Sequence, residues 1–93
     1  MIQSTRGKLA EQALAGRFGK GFPPDLARRA RLLLSFLDAA ASLEDLRSPP
    51  GNRLEKLSGD RAGEHSVRLN QQWRICFRWT DDGPADVEIT DYH

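Results

Sequence analysis

Arg74 and Arg78 stand at alternate positions, with Cys76 between them, in the run Gln72-Trp73-Arg74-Ile75-Cys76-Phe77-Arg78-Trp79-Thr80. Arginines spaced in this way can grip a phosphate through paired N–H donors and steer a polyanion across a sheet face. Arg68, Glu88, Thr90 and Tyr92 fall on the same side by alternation, with His93 at the strand end. A tyrosine there can stack on a base or move a proton, and a histidine can act as a general base. The same residue types also make an ordinary cross-strand Arg–Glu lattice on a solvated sheet. Alternation alone leaves both readings open.

A strand with Trp73, Ile75, Phe77 and Trp79 on one side must present that side to a core, leaving Arg74, Cys76 and Arg78 on the other. Helical spacing of Leu9, Ala10, Ala13, Leu14 and Phe18 predicts a helix over 8–18, with Ser4 or Thr5 as cap and Gly19 just past its end. Phe22-Pro23-Pro24-Asp25 opens a second helix, since proline suits a first turn and an acid there complements the dipole. Its apolar stripe is Leu26, Ala30, Leu33, Leu34, Leu37 and Ala41. A helical turn at 43–46 leads into Ser48-Pro49-Pro50-Gly51-Asn52, which is a connecting loop. Strands are then expected at 54–57, 65–69, 72–80 and 86–92, with a short leading strand at 1–4. The fold expected is α+β: an N-terminal helical hairpin on one face of an antiparallel sheet of three to four strands, the other face open to solvent.

At 93 residues the chain fits a single domain over 1–93, burying roughly 60–65% of its unfolded surface. With 39% apolar and 29% charged residues, it is neither disordered nor membrane-bound. The stretch around Leu32 to Ala41 is too short and polar to span a bilayer, and Met1 to Arg6 lacks a secretory pattern, so a cytoplasmic address is expected. One cysteine permits no internal disulfide, and with two histidines it offers no zinc-ligand spacing, so no metal or cofactor is expected. Charge is unevenly spread. Residues 1–80 hold all 14 Lys and Arg against 8 acids (+6), whereas 81–93 hold 5 acids and no base (−5). A basic body fits a polyanion partner, though it equally fits a solvated surface. Gly59-Asp60-Arg61 lacks the glycine spacing of a phosphate loop, Asp60 reads as a turn residue, and Cys76 reads as a filler on the sheet.

The ordered stretches Leu46-Arg47-Ser48-Pro49-Pro50-Gly51-Asn52-Arg53-Leu54-Glu55, Gly59-Asp60-Arg61-Ala62-Gly63, Gln72-Trp73-Arg74-Ile75-Cys76-Phe77 and Asp91-Tyr92-His93 together resemble the HigB-type toxins of the RelE superfamily, also called plasmid maintenance killer proteins. The resemblance covers roughly residues 38–93. It implies two N-terminal helices on an antiparallel sheet, and a ribosome-dependent endoribonuclease that cuts mRNA in the decoding site. It further implies neutralisation by a HigA-type helix-turn-helix antitoxin, the pair binding its own operator DNA. It places function on Arg74, Asp91, Tyr92 and His93; beside them the alternation reads Arg68 and Arg78 as steering the RNA, with Lys56 the nearest further cation. In the family, attack by the RNA's own 2′-hydroxyl leaves a 2′,3′-cyclic phosphate without a metal. Two positions depart from the pattern: Glu55 stands where some relatives carry histidine, and Ser58 where some carry lysine. The rival from another class is a non-catalytic module that acts only as corepressor within a toxin–antitoxin–operator complex, and a purely structural domain is a third.

Overall fold

The alternating run becomes an interior strand of the sheet. The computed structural model describes residues 1–19, 22–47 and 53–91. Strands β1 (Glu55–Lys56), β2 (His65–Arg68), β3 (Trp73–Thr80) and β4 (Gly83–Asp91) pair antiparallel in the order β1-β2-β3-β4. Helices α1 (Lys8–Leu14) and α2 (Pro24–Ala39) cover one face. Two helices on a four-stranded antiparallel sheet is the expected α+β architecture.

The core forms where the two periodicities meet. Ile75, Phe77, Val67, Val87 and Ile89 from the sheet pack against Ala30, Leu33, Leu34 and Leu37 of α2 and Ala10 and Ala13 of α1. Trp73 and Trp79 are only partly buried at the margins of this cluster, Trp73 lying 6.4 Å from the Phe22 ring. Pro24 opens α2 at N1, with Asp25 in the first turn. Ala41, predicted on the α2 stripe, lies beyond the helix end and is exposed. Asp45 Oδ2 accepts the N–H groups of Ala41 and Ser42 and starts the 3₁₀ turn Leu43–Arg47.

Several boundaries differ from expectation for identifiable reasons. Helix α1 stops at Leu14 rather than Phe18, because Gly16 rather than Gly19 takes the left-handed conformation (φ 76°) that ends it. Its N-cap is Gly7, without a side-chain cap bond, instead of Ser4 or Thr5. Those two residues are used elsewhere. The Gln3 N–H reaches Pro84 O, the Arg6 N–H reaches Val87 O, and the Val87 N–H reaches Ser4 O. The leading segment therefore runs parallel beside β4, with one bridge at Thr5 and Val87. Gly83 (φ 132°) lies so close to the Met1 carbonyl that no side chain fits there.

The outer face of the sheet is not open. Ser66 and Cys76 are both 0% exposed. Arg61, on the 3₁₀ turn Gly59–Arg61, reaches across the sheet to Glu88 at 2.8 Å and also pairs with Glu64 at 3.2 Å. Arg6 links Glu64 to Asp86, and Asp86 meets Arg78 at 3.4 Å. Small side chains at Ser66 and Cys76 make room beneath this layer of ion pairs. Asp86, at φ 53°, sits at the register shift between Cys76 and Arg78, a bulge that re-aims its carboxylate toward those arginines.

Candidate functional site

Arg74 projects from β3 onto the outer face, into the row that register builds from Glu55, Ser66, Cys76 and Glu88. Its side chain is only 14% exposed. One terminal nitrogen, Nη1, donates to Ser66 Oγ at 3.0 Å and lies 3.2 Å from Glu55 Oε2, while Nη2 donates to Glu55 Oε1 at 3.5 Å. Ser66 is sealed from water, so its hydroxyl needs an internal partner, and Arg74 supplies one. The result is a guanidinium held in orientation from below, with a half-exposed carboxylate at its fork.

Register also sets Arg68 directly opposite Arg74. Like charges facing each other across a ladder are unfavourable, and here the two diverge: Arg68 Nε donates to Asn70 O at 3.0 Å while Arg74 turns to Ser66 and Glu55. Beside Arg68 a shallow hollow of about 320 Å³ is lined by Arg29, Arg53, Arg68, Leu69, Asn70 and Gln71. Arg29 donates from α2 to the carbonyls of Arg68 and Leu69, each at 3.3 Å, tying helix to strand end. A basic tract thus leads away from Arg74, suited to consecutive phosphates of one strand.

Other residues singled out from sequence are placed as follows. Thr90 lies opposite Arg74, but Glu88 is taken by Arg61. Arg78 is half-exposed and paired to Asp86. Asp91 pairs with Trp73, which puts it on the helix side of the sheet, where its carboxylate accepts a hydrogen bond from Gln72 Nε2 at 3.0 Å. Lys56 is likewise in register with His65 and Phe77, away from the Arg74 side. Tyr92 and His93 lie outside the described residues.

His65 stacks on Phe77 with ring centroids 6.1 Å apart, and its buried Nδ1 has no partner among the described residues. Burial, then the charges of Lys56 and Arg47, push its pKa below the usual 6.5. It is a neutral packing residue on the core side. Burial likewise pushes the Cys76 thiol up, which keeps it protonated and unreactive.

Sequence reasoning noticed Glu55 only as a departure and passed over Ser66, Arg29 and Arg53. Parity within 54–57 would have put Glu55 outward. The pairing of a two-residue strand with β2 carries no sequence signal of its own.

Two helices on a four-stranded antiparallel sheet is the architecture of the RelE-like toxins. A family model described as "RelE-like toxin of type II toxin-antitoxin system HigB" matches residues 15–93, and the chain belongs to that family. Among curated proteins it is similar to Toxin HigB-1 of Vibrio cholerae serotype O1, 52% identical over 48 residues, 52% of this chain and 50% of that protein. It is also similar to an uncharacterized protein of Haemophilus influenzae, 32% identical over 60 residues, 64% of this chain and 59% of the other. The matched chain thus spans 50% to 59% of the length of these curated relatives. Among solved structures, the YoeB–YefM complex from Staphylococcus aureus contains a chain matched at TM-score 0.61 and 18% identity, covering 100% of this chain and 95% of that one. The YoeB dimer from the same organism matches at TM-score 0.60 and 20% identity, covering 99% and 94%. At such identities these two likenesses speak to the fold alone.

Proposed function

We propose that the protein is a ribosome-dependent mRNA endoribonuclease, active in the cytoplasm as a single toxin domain and neutralised by a HigA-type antitoxin with which it binds operator DNA. The observation that carries this reading is the guanidinium of Arg74, anchored on buried Ser66 and facing Glu55 at 3.2 Å. Membership of the HigB-like toxins supports the substrate class.

The reaction is an intramolecular displacement. The 2′-oxygen bonds to the adjacent phosphorus, the bond from phosphorus to the 5′-oxygen breaks, and a 2′,3′-cyclic phosphate and a 5′-hydroxyl result. Arg74 stabilises the charge that gathers on the non-bridging oxygens, a task that a fixed donor performs without reorganising. Glu55 takes the proton of the 2′-hydroxyl, because its carboxylate already lies within contact of the guanidinium that would hold the phosphate. Tyr92 or His93 gives the proton to the 5′-oxygen. Arg68, with Arg53 and Arg29 beside it, and Arg78 further along β3 hold the flanking strand. Asp91 serves by orienting Gln72 and the end of β4. Lys56 contacts RNA from the sheet edge.

The Arg74–Glu55 pair also favours a second reading, since a carboxylate in the fork neutralises the cation in this state. A corepressor without catalytic activity would tolerate that arrangement permanently. The two separate on programmed ribosomes. Glu55→Gln should bind message normally and cut it about 10²–10⁴-fold more slowly, the usual weight of a general base. An mRNA with a 2′-deoxy nucleotide 5′ to the cut should bind and stay intact. Cleavage of that strand, or undiminished cutting by Glu55→Gln, removes this mechanism, and absence of any cut by the unaltered protein leaves the corepressor.

A further inference from the structure

Helix α2 has a second face that the fold does not use. Its core stripe is Leu26, Ala30, Leu33, Leu34 and Leu37. On the opposite side Leu32 and Phe36, one helical turn apart, are 47% and 36% exposed. Single exposed apolar residues are ordinary, but a leucine and a phenylalanine at i and i+4 make one continuous patch. Next to it lies a hollow of about 630 Å³, lined by Asp25, Arg28, Arg29, Arg31, Leu32 and Ser35. Three arginines face one acid there, and that acid complements the first turn of its own helix. Arg28 is exposed and forms no ion pair among the described residues.

An apolar pair flanked by guanidinium groups is the complement of an amphipathic segment with apolar residues one turn apart and carboxylates beside them. RNA would meet the arginines and could stack one base on Phe36, but it has no use for the more exposed Leu32. We infer that the outward face of α2 is the docking surface for an acidic amphipathic helix of the antitoxin. This rests on the toxin–antitoxin reading above. Leu32, Phe36 and Arg28 lie on the helix side of the sheet, so their substitution leaves the outer face and Arg74 untouched, whereas Arg29 also borders the basic tract and is kept unchanged.

The test measures, by calorimetry, binding of the purified protein to the purified product of the adjoining reading frame, where the toxin–antitoxin reading expects a HigA-type antitoxin. Leu32→Glu/Phe36→Glu should weaken binding by roughly 30-fold or more, as expected of central interface residues. Circular dichroism should show it folded, since both positions face water. Arg28→Glu should weaken binding at low salt, the deficit shrinking as salt is raised. Arg74→Ala should bind as the unaltered protein does. Antitoxin binding by the double variant within threefold of the parent overturns the surface while leaving the toxin–antitoxin reading intact. No antitoxin binding by the parent overturns that reading and the surface with it. Two other outcomes also overturn the assignment: a parent dimer that the double variant dissolves in sedimentation shows that a second copy occupies the face, and loss of ribosome association with antitoxin binding intact shows that it is RNA.

Discussion

Arg74→Ala should cost both stability and activity, and the structure says how much of each. The guanidinium is 14% exposed and donates to a hydroxyl that is itself sealed from water. Removing it strands the Ser66 hydroxyl, a penalty of about 1–3 kcal/mol for an unsatisfied buried polar group. The pair with Glu55 adds little, because the Glu55 side chain is 46% exposed and such pairs contribute about 0–1 kcal/mol. A loss near 2 kcal/mol should lower the melting temperature by about 8–16 °C for a domain of this size. Cleavage on programmed ribosomes should fall about 10²–10³-fold, the cost of removing one fixed donor to a developing charge. The assay belongs at a temperature where circular dichroism shows the variant folded. Adding Ser66→Ala should recover part of the lost stability, since an apolar pair leaves no orphan hydroxyl, but none of the activity. Full cleavage by folded Arg74→Ala would refute the phosphate assignment. A double variant less stable than the single would refute the account of the hydroxyl.

Trp73→Ala should destabilise the fold by about 3 kcal/mol, the low end of the range for an aromatic lost from a core, because Trp73 is only partly buried; an unchanged melting temperature would mean the ring contributes no packing. His65 should make folding acid-sensitive. Its folded pKa lies below 6.5, so its contribution is complete above that value and declines as pH falls toward and through the folded pKa. Urea midpoints of the parent should therefore fall faster than those of His65→Phe below about pH 6.5, and parallel curves would contradict this.

Most of the architecture was legible wherever a residue's side was dictated by alternation or helical spacing. Ile75, Phe77, Val67, Val87 and Ile89 all point inward as alternation requires, and α2 buries the stripe that spacing marks out. What failed depended on partners distant in sequence. Nothing local says that Gln3 and Arg6 will bond to β4, and this diverts Ser4 and Thr5 from capping α1. Nor does a turn such as Gly59–Arg61 announce that its arginine will cross the sheet to Glu88, turning a face expected to be open into a covered one. Arg74 was visible as a candidate, but its Glu55 partner was hidden because β1 is two residues long.

The leading segment sets an order on synthesis. The Asp86 N–H bonds to Ser4 Oγ, 82 positions earlier in the chain. At about 5–20 residues per second, Ser4 waits on the order of 4–16 seconds for the strand that will hold it. Until β4 leaves the ribosome, β3 lacks its longest partner and the layer of ion pairs lacks Asp86 and Glu88. A nascent chain thus cannot complete its sheet until β4 has been made, and a transcript cut short before β4 encodes a sheet whose β3 has lost one of its two neighbours.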